Sequence, residues 1–156
     1  MAEFPTEGSK PPPFSLPRDG GGEVSLKDFK GRKLVLYFYP KANTEGCTKE
    51  AMAFNALRGA FEAADTAILG VSADPVKAQD RFKAKYDLAF PLASDETQAM
   101  LEAYGVWVEK SMYGRKFMGI RRATLLIGRN GKVAKAWPNV KVAGHAEEVL
   151  AAAQAV

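Results

Sequence analysis

The run KLVLYFY, residues 33–39, restricts the architecture of this chain more than any other stretch. It is continuously apolar after its lysine, rich in residues that favour strands, and shows no clean in–out alternation. A strand with one wet face alternates, whereas a strand covered on both faces does not. The run therefore predicts a central strand, stopped by Pro40. TAILGVS (66–72) has the same character and predicts a second buried strand.

Between them, Ala51, Phe54, Leu57 and Phe61 recur at three- and four-residue spacing, which predicts a helix over about 47–63. SADPVKAQDRFKAKYD opens with Ser72 and Asp74 as candidate caps and Pro75 as a first helical residue, predicting a helix to about Tyr86. A short strand over 89–95 and a brief helix over 96–105 follow. Residues 106–119 carry no clear pattern and are expected to form a long loop. RATLLIGRNGKVAKAW (122–137) predicts two strands joined at Asn130-Gly131, a strong hairpin signal. GHAEEVLAAAQAV (144–156) predicts a final helix. Residues 1–22 hold three consecutive prolines and GGG at 20–22, so they are expected to be an extended arm without regular structure, preceding a domain over 23–156.

This order places crossovers before a terminal hairpin. It implies an α/β fold with a mixed central sheet and helices on both faces, the plan of a thioredoxin-like domain. At 156 residues the chain can bury a sizeable core without disulfides, and its single cysteine excludes an internal one. The N-terminus lacks the pattern of a secretory signal, and the longest apolar run is too short to span a bilayer. No membrane association is expected, and a cytoplasmic location is. The net charge of +4 is uneven: Lys110 to Lys141 holds nine basic residues and no acidic one. No recognised nucleic-acid motif accompanies that segment, so nucleic acid is not expected as the main ligand.

The lone cysteine, Cys47, falls between Gly46 and Thr48 near the predicted helix start. There the unpaired backbone N–H groups and the helix dipole favour a thiolate over a thiol. Either Thr44 or Cys47 itself stands as the cap. Pro40 is placed to shield the sulfur, Thr44 to hydrogen-bond an incoming oxygen, and Glu50 to orient a cation. On placement alone, a structural cysteine, a strand-ending proline, a plain cap and a solvated acid are the competing readings. Without a second sulfur there is no dithiol motif, and the only histidine, His145, is expected to cap the last helix or face solvent. Peroxide reduction needs neither. A thiolate attacks one peroxide oxygen and becomes a sulfenic acid, while charge grows on the departing oxygen. Arg121 or Arg122, at the start of the ATLLI strand, is the best source of a stabilising cation.

With these residues in view, the sequence resembles the peroxiredoxins of the bacterioferritin comigratory protein, or Q, type. P40-KAN-T44-EG-C47 stands where that family has P-x-x-x-T-x-x-C. FPLASD (90–95), YGVW (104–107), YGRKFMGIRRATLLI (113–127) and GKVAKAW (131–137) also match. The resemblance implies a thioredoxin fold and reduction of hydrogen peroxide and organic hydroperoxides. It assigns the peroxidatic sulfur to Cys47, with Thr44 and Pro40 beside it, and selects Arg122 over Arg121 through the G-I-x-R-x-T pattern. It implies no cofactor and a monomer rather than a stable oligomer. Three positions depart from the common pattern: Glu45 replaces a proline, Ala42 replaces an aspartate, and Met52 replaces a resolving cysteine. The sulfenic acid is therefore expected to need an external thiol, either thioredoxin, glutaredoxin or glutathione. Competing functions are a thiol transferase and a thioredoxin-fold interaction module contacting nucleic acid through residues 110–141. Met100, Trp107, Met112, Phe117 and Met118 are expected to pack inside the domain, with an apolar substrate entrance as the alternative.

Overall fold

A computed structural model describes residues 2–156; Met1, the first residue of the expected arm, lies outside the described residues. In chain order the elements are β1 (Ser15–Pro17), β2 (Glu23–Ser25), β3 (Lys33–Phe38), α1 (Glu45–Ala56), α2 (Arg58–Ala63) and β4 (Thr66–Ser72). They continue with α3 (Val76–Tyr86), β5 (Leu92–Ser94), α4 (Ala99–Ala103), β6 (Trp107–Met112), β7 (Arg115–Ile120), β8 (Ala123–Ile127), β9 (Val133–Trp137) and α5 (His145–Ala155). Five strands form the main sheet in the order β5-β4-β3-β8-β9. β3 runs parallel to β4 and antiparallel to β8, so the sheet is mixed and the fold is a thioredoxin-like α/β fold.

The apolar run at 33–39 is explained by its central position. Leu34, Leu36 and Phe38 enter one apolar cluster, while Val35, Tyr37 and Tyr39 enter the other. Successive side chains point to opposite faces, so a strand between two cores needs apolar residues at every position. One core is filled by Leu101, Tyr104 and Val106; the other by Phe54 and Phe61 from α1 and α2 and Val149 from α5.

Four local expectations are corrected. The helix predicted over 47–63 is two helices broken at Leu57, whose backbone leaves the helical region (φ −98°, ψ 6°). The Asn55 side chain donates to the Asp87 carbonyl (3.0 Å) and accepts from the Ala89 N–H (2.9 Å), fixing the end of α1, while α2 turns Phe61 onto Phe54. Pro75 stands at the N-cap of α3 rather than inside its first turn. Residues 106–119 are not a loop: β6 and β7 pair from Trp107 opposite Ile120 to Met112 opposite Arg115. Tyr113 and Gly114 both have positive φ (52° and 76°), the backbone a two-residue hairpin turn requires. The arm is also not wholly irregular, because β1 pairs with β2 and Leu16 joins the core. The segment from Ala2 to Phe4 lies against Gly105, where an added Cβ would approach the Ala2 carbonyl oxygen to 2.6 Å.

Candidate active site

Chain connectivity builds the site at one end of β3. After Phe38 the chain passes Tyr39 and Pro40 into a turn and then enters α1 at Glu45. This turn is held from outside itself. The Ala42 N–H donates to Asp74 Oδ2 (2.7 Å), which also accepts from the Ser72 hydroxyl (2.6 Å). Asn43, in the left-handed region at φ 64°, accepts from the Tyr86 hydroxyl (3.0 Å). Thr44 occupies the N-cap position with extended backbone, but its hydroxyl donates to the Lys41 carbonyl (2.8 Å) rather than capping the helix. Cys47 is thus the third residue of α1, within its first turn, where helical N–H groups lack intrahelical acceptors.

The cation arrives from 75 residues away. β8 pairs antiparallel with β3, with Ala123 opposite Phe38, so the residue just before β8 falls beside the start of the Pro40 turn. That residue is Arg122. Its Nη2 lies 3.5 Å from Cys47 Sγ and its Nη1 donates to Glu50 Oε1 at 2.8 Å. Arg121 points elsewhere, donating to the Gly105 carbonyl (3.1 Å) and covering the Phe4 ring. Gly46 helps the approach, since a Cβ there would meet Arg122 Nη2 at 3.1 Å.

Cys47 is only 1% exposed and packs within an apolar cluster. Burial in apolar surroundings disfavours a thiolate, and an adjacent guanidinium favours it. Glu50 is equally buried, and burial, opposed by Arg122, pushes its carboxyl up to about 7. Burial also works against the charge on Arg122, but Glu50 and Cys47 outweigh it and raise its pKa above the ordinary value. The site is therefore a triangle of sulfur, guanidinium and carboxylate. Its chemistry is that of a nucleophile beside a fixed cation, suited to a reaction in which negative charge moves from sulfur to oxygen.

Residues 8–136 match the AhpC/TSA family. The chain is 48% identical to a putative peroxiredoxin bcp of Coxiella burnetii, covering 92% of this chain and 95% of that protein. It is 50% identical to the peroxiredoxin Bcp of Xanthomonas campestris, over 91% and 90% of the two chains. Among solved structures, Xanthomonas campestris peroxiredoxin Q superposes with a TM-score of 0.86 at 49% identity, covering 91% of this chain and 90% of that one. A mutant of Xylella fastidiosa PrxQ superposes with a TM-score of 0.92 at 41% identity over 97% of each chain. The chain belongs to the peroxiredoxins, in their bacterioferritin comigratory, or Q, branch.

This peroxiredoxin is a thiol peroxidase with a single reactive cysteine. Its departures from the common pattern can now be located. Glu45 is exposed and paired with Lys49 (3.0 Å), so its charge is turned into solvent. Ala42 is half-buried, and Met52 is 50% exposed on α1. Met100 is buried in the core as expected, but Met112, Phe117 and Met118 are exposed on the β6–β7 hairpin instead of packing inside. Among the described residues, no helix is long and apolar enough to cross a membrane.

His145 overturns its expected role. Gly144 holds the N-cap of α5, and His145 is buried, its Nε2 2.8 Å from the Thr124 hydroxyl. The ring stands edge-on to Phe54 and Trp137. An isolated histidine in sequence carries no signal for this, because its partners come from α1, β8 and β9. Burial holds the imidazole below its ordinary value; Arg122 adds to this, while Glu148 and Glu147 oppose it. The unfolded chain therefore binds a proton below about pH 6.5 that the folded peroxiredoxin resists. Stability present above that pH is lost as pH falls toward the folded value. Urea midpoints for the native protein and His145→Gln, measured at about pH 7.5 and about pH 5.5, test this sign. The native protein is expected to lose more on acidification than the variant.

Proposed function

We propose that Cys47 is the peroxidatic sulfur, that Arg122, Thr44 and Pro40 complete its site, and that an external thiol regenerates it. The observation that carries this reading is the 3.5 Å approach of Arg122 Nη2 to Cys47 Sγ, with Glu50 holding the other arm of the guanidinium. The Cys47 thiolate attacks one oxygen of the hydroperoxide and the O–O bond breaks. The departing oxygen takes a proton and leaves as water or an alcohol, and Cys47 becomes a sulfenic acid. Arg122 favours the thiolate before attack and the oxyanion as it forms. The Thr44 hydroxyl spends its proton on the Lys41 carbonyl, which leaves its lone pairs to accept from the hydroperoxide O–H. Half-buried Pro40 limits water at the mouth of the site.

The chain has one cysteine, so an internal disulfide cannot close the cycle. Thioredoxin, glutaredoxin or glutathione is the reductant class, and the reducing cytoplasm the setting in which such thiols are supplied. Mass spectrometry after one equivalent of hydroperoxide, with each reductant then offered separately, tests the reading. The expected result is one added oxygen on Cys47, removed by an external thiol. Oxidation at the methionines with Cys47 untouched would overturn it.

A further inference from the structure

Two cations beside the Pro40 turn, the side chains of Lys41 and Lys110, take no part in the peroxide chemistry. Lys110 stands on β6 opposite Phe117 of β7, and its stem crosses the hairpin face over Gly119. A Cβ at Gly119 would meet Lys110 Cδ at 3.2 Å and Cε at 3.4 Å, so the glycine gives the stem room and a larger residue would crowd it. Lys110 is half-buried, and among the described residues it has no carboxylate partner; the hairpin's one ion pair joins Lys116 to Glu109. Burial and the Arg122 guanidinium lower its pKa, while Cys47 acts in the opposite sense, so its charge is felt at the site.

Lys110 borders a cleft of roughly 350 Å³ that runs between the Pro40 turn and the hairpin. Pro40, Phe117 and Met118 give the cleft an apolar wall, and Lys41, Lys110 and Asp74 give it charge. Asp74 Oδ2 is occupied by Ala42 and Ser72, so this carboxylate is a fixed negative charge rather than a mobile one. Hydrogen peroxide carries no charge or apolar surface for such a cleft to read, and a simple alkyl hydroperoxide could use the apolar wall but has no charge to meet Lys41 and Lys110. The second half of the cycle brings a larger molecule, because the only sulfur in the chain must be reduced from outside. Two cations, one carboxylate and an apolar wall are complementary to a small zwitterionic peptide with an excess of carboxylate.

We infer that this cleft receives a small peptide thiol bearing carboxylates, and that Lys110 is the residue that reads a carboxylate and so sets reductant selectivity. The inference rests on the thiol-peroxidase reading above and names the reductant within it. The thiol sulfur attacks the Cys47 sulfenic sulfur; an S–S bond forms, the S–O bond breaks, and the released hydroxide takes the thiol proton to leave as water. A second thiol attacks the mixed disulfide, returning reduced Cys47 and releasing the oxidised thiol as its own disulfide.

The test starts from Cys47 sulfenic acid made with one equivalent of hydrogen peroxide. Rates of its reduction by glutathione and by uncharged 2-mercaptoethanol, each expressed per thiolate, are compared as a ratio in the native protein, Lys110→Gln and Lys110→Arg. The ratio cancels any general effect of Lys110 on Cys47. It is expected to fall roughly tenfold in Lys110→Gln, the worth of one charge-assisted contact, and to be largely retained in Lys110→Arg. Gly119→Ala, which crowds the Lys110 stem by another route, is expected to lower the ratio by less than Lys110→Gln does. An unchanged ratio in Lys110→Gln overturns the inference. So does a native protein that takes glutathione no faster than 2-mercaptoethanol while a protein dithiol reduces it rapidly. A selectivity change seen only between carboxylate-bearing and neutral hydroperoxides would assign the cleft to the oxidant and overturn it too. Failure to form the sulfenic acid would instead remove the underlying peroxidase reading.

Discussion

Cys47→Ser is expected to abolish hydroperoxide consumption, lowering the rate by at least about 10⁴-fold, to the level of the uncatalysed reaction. A serine hydroxyl does not ionise near neutral pH, and an adjacent guanidinium cannot shift it far enough to supply an alkoxide. The fold should survive. The new oxygen would occupy nearly the same buried volume and could still accept a hydrogen bond from Arg122 Nη2, now 3.5 Å from the sulfur. A stability loss of about 1–3 kcal/mol is expected, because a hydroxyl replaces a sulfur packed in an apolar cluster. Stopped-flow peroxide consumption and thermal unfolding, measured on the same preparation, check both halves. Residual turnover above the uncatalysed rate would mean that another group carries the oxidation.

Arg122→Met should slow oxidation of Cys47 by about 10²–10³-fold, the loss seen when one preorganised donor is taken from a developing oxyanion. Here the fold is also affected. Glu50 is 1% exposed, and without Arg122 its carboxyl is buried beside no cation among the described residues. It should then take up a proton, since burial already pushes it up to about 7 even with the arginine present. A raised carboxyl pKa contributes stability that is fully present below the unfolded value of about 4.3 and lost as pH rises through the folded one. Arg122→Met is therefore expected to be least stable at alkaline pH and to recover on mild acidification. Loss of the pair should cost about 1–3 kcal/mol near neutrality, less than a fully dry charge pair because the arginine side chain is 18% exposed. The double variant Glu50→Gln/Arg122→Met separates the two roles: stability should return, and the oxidation rate should not. If the rate returned with stability, the arginine would be a structural partner of Glu50 and nothing more.

The two effects share a cause. Glu50 and Cys47 lie three residues apart on α1, so one helix face presents both to the same guanidinium. The carboxylate fixes where the guanidinium points. A lysine at position 122 would supply charge without the fork that bonds two partners at once.

Local sequence was enough for much of this fold. The unbroken apolar run at 33–39 marked a strand between two cores, because a strand covered on both faces has no position for a polar side chain. The Asn130-Gly131 pair marked the β8–β9 hairpin, although the loop spans residues 128–132, with Gly131 at φ 78°. Placement also singled out Cys47, since a thiol between glycine and threonine at a helix start has a different neighbourhood from one inside an apolar run. The β6–β7 hairpin leaves no such mark in the sequence, for the opposite reason. It packs little of itself against the core, so its polarity does not alternate, and its turn is Tyr113-Gly114 rather than an asparagine-glycine pair.

Tertiary structure alone decided which charges meet. Residues alone left Arg121 and Arg122 equal, and only the family resemblance chose between them. In the fold, the β3–β8 register and the alternation of neighbouring side chains send Arg122 to the sulfur and Arg121 to the Gly105 carbonyl. By sequence Glu50 reads as a first-turn acid, either solvated or orienting a cation, and the fold buries it against Arg122; His145 reads as a cap, and Thr124, Phe54 and Trp137 close around it. Backbone preference is written over a few neighbouring residues and can be read there. The environment of a charge is set by groups tens of residues distant, and it comes into being only when the sheet brings them together.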